Sequence, residues 1–111
     1  MNQKTYPENY RSITGRHRKL ADALDELGRA IREEGPVMGK EVHLIQLAAA
    51  TAIRSEGAVH SHVRRALEAG ATAEEIRHTV ILLTSTIGFP TVAAALSWVE
   101  DILGEEQSPT G

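Results

Sequence analysis

The chain has 111 residues, 41% of them hydrophobic and 24% charged, a composition that suits one globular domain. Its net charge of −3 leaves no electrostatic case for a nucleic-acid partner: the basic run Arg16-His17-Arg18-Lys19 is followed by Asp22, Asp25 and Glu26 and reads as a solvated helix face. There is no cysteine, which excludes disulfides, thiolate zinc sites and every thiol-based redox cycle.

The opening MNQKTYPENY lacks the apolar core of a secretory signal, and no apolar run is long enough to span a bilayer, so a cytoplasmic location without a membrane partner is the expectation. Residues 1–14 read as an N-terminal extension, residues 15–104 as one helical domain and residues 105–111, EEQSPTG, as a flexible polar tail. Leu20, Leu24, Leu27 and Ile31 recur at steps of four, three and four, which predicts a first helix over about residues 15–34, ended by Gly35-Pro36. A second helix over about residues 39–54 places Val42, Ile45, Ala49 and Ala52 along one side, and the turn after it is expected at Glu56-Gly57. A third helix over about residues 58–69 is stopped by Gly70. Thr72-Ala73-Glu74-Glu75 then has the spacing of a capping box, in which the Thr72 hydroxyl and the Glu75 carboxylate each satisfy the other residue's backbone N–H.

The fourth helix is predicted to run to about residue 86, and its Val80-Ile81-Leu82-Leu83 run is apolar on every side. Either it is central in the domain or another subunit covers it, and self-association is the expectation. Gly88-Phe89-Pro90 breaks the chain before a fifth helix with Val92, Leu96, Val99 and Leu103 on one face. No alternating run is flanked by hairpin turns, so the fold expected is all-α, an antiparallel bundle of about five helices.

The order LIQLAAATAIR, HVRRALEAGATAEEI and IGFPTVAAAL within residues 39–103 resembles the carboxymuconolactone decarboxylase and AhpD-like alkylhydroperoxidase family. The most specific part is the H-x-x-x-A-L-x-x-G-A-T-x-E-E-I pattern from His62 to Ile76, followed by Gly88-Phe89-Pro90. The resemblance implies an all-α fold and a homo-oligomer, commonly a trimer or hexamer with active sites near subunit contacts. The AhpD-like branch carries Cys-x-x-Cys ahead of the histidine at position 62, and its two cysteine positions fall here on Ser55 and Ala58. Its glutamate position falls on His43. A serine hydroxyl neither ionises readily nor cycles between redox states, so thiol peroxidase chemistry is excluded.

The decarboxylase branch also lacks the cysteine pair and keeps a histidine in an H-x-R-x-A-L context close to His62-Val63-Arg64-Arg65-Ala66-Leu67. Decarboxylation of an unsaturated lactone acid needs a cation to hold the carboxylate and a proton donor for the carbon where charge develops. His62 as acid or base, His43 as its partner and Arg64 or Arg65 as the carboxylate anchor meet that need, with no cofactor. The first expectation is thus a cofactor-independent lyase or isomerase on a small carboxylate-bearing lactone or related acid. The second is a non-catalytic oligomer that keeps the fold and binds a small ligand.

The other histidines have plainer readings. His60 and His62 form an H-x-H pair, but residues two apart on a helix point to nearly opposite sides and cannot chelate one ion. The residues three and four beyond His62 are Arg65 and Ala66, so no facial triad is completed and no metal is expected. His43 is either a member of an imidazole pair facing one cavity or a core or interface histidine with one satisfied hydrogen bond. His17 and His78 read as surface residues, Glu56 as a solvated turn residue or a base, and Trp98 as packing.

Overall fold

The computed structural model describes residues 8–107. Among them lie seven helices and no strand: α1 (Glu8–Arg16), α2 (Arg18–Glu33), α3 (Lys40–Ala52), α4 (Glu56–Glu68), α5 (Ala73–Ile81), α6 (Thr84–Ile87) and α7 (Phe89–Gln107). The all-α expectation is met. The chain divides between Met38 and Gly39 into two compact units.

The first unit holds α1 and α2. Helix α2 realises the leucine period, yet no residue on it is buried: Leu20, Leu24, Leu27 and Ile31 are each about half exposed. Helix α1 occupies residues expected to form an extension, and it is separated from α2 only by the non-helical backbone of His17. The expected extension is described here from Glu8 onward; residues 1–7, and the end of the expected tail at residues 108–111, lie outside the described residues. Residues 105–107 continue α7.

The second unit contains the core: Leu47 and Ala50 of α3, Val59, Val63 and Ala66 of α4, Ile76 and Val80 of α5, and Val92, Ala95, Val99, Ile102 and Leu103 of α7. The predicted α7 face holds, with Val92, Val99 and Leu103 buried and Leu96 and Trp98 packed against them. On α3 the buried residues are Val42, Leu47, Ala50 and Thr51, while Ile45, Ala49 and Ala52 of the predicted side are exposed. Apolar and small residues surround this helix almost completely, so periodicity alone does not choose the buried side.

Both ends of α4 are set by local chemistry. Helix α3 closes in a Schellman motif: Ser55 N–H donates to Ala50 O at 3.0 Å and Arg54 N–H to Thr51 O at 3.0 Å. The left-handed residue is Arg54 (φ 57), not Gly57 as the sequence suggests, and its guanidinium donates to Thr91 Oγ1 at 2.7 Å. Glu56 and Gly57 instead begin α4, because Ser55 takes the N-cap. The same motif ends α4 with Gly70 (φ 98) left-handed, Ala71 N–H bonding Ala66 O at 2.9 Å and Gly70 N–H bonding Leu67 O at 3.1 Å. The predicted capping box is present, with Thr72 N–H to Glu75 Oε1 at 2.9 Å and Glu75 N–H to Thr72 Oγ1 at 3.0 Å.

The fourth predicted helix is shorter than its apolar run. Helix α5 stops at Ile81, where the Thr84 hydroxyl donates to the Ile81 carbonyl at 2.7 Å, and the short α6 follows. A side-chain hydroxyl competing for a helix carbonyl offers the backbone an alternative to continuing the helix. Val80 is buried, whereas Ile81 and Leu82 are exposed. No helix of the described residues is long and apolar enough to cross a membrane.

Candidate functional site

Helix α4 carries two flanks with polar side chains, one on each side of its core stripe. Val59, Val63 and Ala66 recur at helical spacing and are fully buried, which fixes the rotation of the helix. On one flank lie Ala58, His62 and Arg65, and on the other Glu56, His60 and Arg64, each set spaced by three or four residues. Fixing the rotation by burial therefore separates the two histidines that are neighbours in sequence.

The first flank brings together three of the predicted site residues. His62 is half-buried, and its pKa is pushed down from the ordinary 6.5 to about 4, first by burial and then by the charges of Arg65 and of His43 on α3. Desolvation disfavours the imidazolium, and adjacent cationic groups disfavour it further. At neutral pH the free site therefore presents a neutral imidazole. His62 Nδ1 and Arg65 Nε are both buried without a hydrogen-bond partner among the described residues. Buried polar atoms of this kind are costly unless a ligand or water completes them. Arg65 Nε–H is a donor, and so is a protonated imidazole nitrogen, the kind of group from which an anion accepts.

His43 is half-buried on α3, the helix that packs along α4. Its effect on His62 identifies it as a neighbour of that ring, a juxtaposition that sequence separation could not reveal. Arg64 and Arg65, interchangeable in the sequence, part company here. Arg65 lies one turn from His62 and on the same flank. Arg64, 9% exposed, belongs to the other flank, where its guanidinium faces Glu105 of α7 at 3.9 Å.

Ser55 and Ala58, the two degenerate redox positions, have structural tasks. Ser55 Oγ accepts from Ala58 N–H in a long 3.4 Å contact at the α4 N-cap, and Ala58 packs against the core. A thiol at such an N-terminus would be acidified by the helix dipole, whereas a serine there only caps. Thr51, for which the sequence gives no signal, is fully buried on α3 with its hydroxyl unpartnered among the described residues.

The second flank faces α7. His60 Nε2 lies 3.0 Å from Asp101 Oδ2, with the His60 side chain 16% exposed, so His60 turns away from the His62 site. Asp101 was not singled out in the sequence. The signal that could have found it is the four-residue spacing of Asp101 and Glu105 on α7, which matches that of His60 and Arg64 on α4. Away from both flanks, Lys40 donates to Glu75 at 2.7 Å, and the Arg77 guanidinium clasps Glu100 with two hydrogen bonds of 2.8 and 2.9 Å. His78 is exposed as expected.

The family model of the carboxymuconolactone decarboxylase family matches residues 18–101. No curated protein and no solved structure matches the chain.

Proposed function

Because the chain belongs to the carboxymuconolactone decarboxylase family, we propose that it is a cofactor-independent lyase that decarboxylates a small carboxylate-bearing lactone or related acid. The observation that carries this reading is the buried pairing of His62 with Arg65: an unpartnered imidazole nitrogen beside an unpartnered guanidinium nitrogen, with His43 close by. Arg65 anchors a carboxylate of the substrate. The bound anion offsets the positive charge that helps hold His62 neutral, and so draws a proton onto the imidazole. As carbon dioxide leaves, negative charge develops on the carbon framework, and His62 delivers that proton to it. His43 orients the His62 ring. Peroxide reduction is not within reach of this chain, which has no thiol.

The protein is proposed to work as a homo-oligomer, a trimer or hexamer, located in the cytoplasm. Support for self-association comes from the uncovered stripe Leu20, Leu24, Leu27 and Ile31 on α2, and from exposed Ile53, Leu82 and Phe89. Apolar stripes of this length are normally covered by a partner surface. Leu24→Glu should lower the mass measured by analytical ultracentrifugation while leaving helical content intact.

The test of the reaction is carbon dioxide release from γ-carboxymuconolactone by the wild-type chain and by His62→Ala. Release by the wild type that disappears in an equally folded His62→Ala protein supports the assignment. Equal release by both proteins removes His62 from the reaction. A wild type that binds the substrate without releasing carbon dioxide favours the non-catalytic, ligand-binding alternative.

A further inference from the structure

The second flank of α4 carries a separate arrangement that the reaction does not use. We propose that Glu56, His60 and Asp101 form a three-ligand site for one divalent cation of the zinc class, joining α4 to α7. Glu56 and His60 stand one turn apart on α4, and Asp101 comes from α7; one ligand atom of each lies within 4.8 Å of the other two. Tetrahedral zinc with bonds of about 2.0–2.1 Å sets its ligand atoms about 3.3 Å apart. The His60–Asp101 pair, at 3.0 Å, already has that spacing. Glu56 is exposed in the first turn of its helix, so a change of rotamer is open to its carboxylate.

Charge and donor type point to the same class of ligand. Two carboxylates converge on the His60 ring, and a dication between them cancels their repulsion and takes the imidazole nitrogen as a ligand. One nitrogen and two carboxylate oxygens suit zinc or a similar borderline cation better than magnesium or calcium, which favour all-oxygen shells. The fourth position is left for water. The nearby Arg64 is directed to Glu105, one turn further along both helices. Because the His62 flank lies on the other side of the core stripe, the cation braces α4 against α7 and takes no part in the proposed decarboxylation.

The test is calorimetric titration of the chelator-treated full chain with zinc sulfate, together with thermal melting. The expected result is one saturable site per chain and a melting temperature raised by about 5 °C or more at saturating zinc. His60→Asn, Asp101→Asn and Glu56→Gln should each weaken binding by about tenfold or more, while His62→Ala should bind as the wild type does. Asp101 and Glu56 have exposed side chains, so the isosteric Asp101→Asn and Glu56→Gln keep the readout interpretable even if His60→Asn disturbs the fold. Binding that survives all three substitutions, binding lost in His62→Ala, stoichiometric binding with no thermal shift, or no saturable binding would each overturn the proposal.

Discussion

His62 and His60 are two residues apart on one helix, yet they occupy opposite chemical settings. His62 sits half-buried beside Arg65 and His43 and is held neutral, with unpartnered polar atoms around it. His60 faces a carboxylate across the α4–α7 contact. The helix is the same and the residue type is the same; only the rotation about the axis differs. Three buried positions, Val59, Val63 and Ala66, fix that rotation, so the core decides which histidine sits beside Arg65 and which faces a carboxylate. Function on α4 follows from packing as much as from the identity of the side chains.

The difference can be broken most severely at His62. His62→Ala should lower turnover on a decarboxylated substrate by about a hundredfold or more, the usual contribution of a positioned acid–base group, as measured by carbon dioxide release. Arg65→Met comes next. Losing a charge-assisted contact to the carboxylate should raise KM by about tenfold or more, whereas Arg64→Met should leave KM within about threefold because Arg64 faces Glu105 in a contact of ion-pair type. If the two arginine variants behave alike, the division of α4 into two flanks is wrong.

A smaller effect lies in stability against pH. His62 binds its proton near 6.5 when unfolded and near 4 when folded, so between these values the unfolded chain holds more protons. Its contribution to stability is complete above about pH 6.5, declines as pH falls towards 4, and is flat below. For a half-buried group screened by solvent, the loss should be on the order of 1–2 kcal/mol. Urea melts across that range should show it in the wild type and in His60→Asn, and not in His62→Gln. The smallest change is expected from Asp101→Asn in chelator-treated protein, where altering an exposed contact to the His60 ring should cost at most about 1 kcal/mol by the same melts.

Much of the fold was legible from sequence because local chemistry wrote it. The leucine period of α2, the capping box at Thr72 and the apolar face of α7 each depend on near neighbours in the chain. The misplaced features depend on competition. The side of α3 that is buried is chosen by its tertiary contacts, since Ile45 and Leu47 are equally apolar and only Leu47 is covered. The left-handed turn fell on Arg54 because Ser55 claimed the cap of α4 and drew Glu56 and Gly57 into the helix.

Of the candidate site, only part was legible. His62, Arg65 and His43 could be named from the resemblance, but their meeting is a property of the α3–α4 packing. The choice between Arg64 and Arg65 also required the rotation of α4. The His60–Asp101 pair is separated by 41 positions, and the matched four-residue spacings on α4 and α7 point to it only once the two helices are known to pack together.

The central claim is that burial and Arg65 hold His62 neutral until an anion arrives, and NMR titration of the His62 imidazole tests it most directly. The account predicts a midpoint near 4 in the free protein, a higher one in Arg65→Met, and a higher one again in the wild type with a bound carboxylate ligand. A midpoint near 6.5 that neither Arg65→Met nor the ligand moves would contradict it.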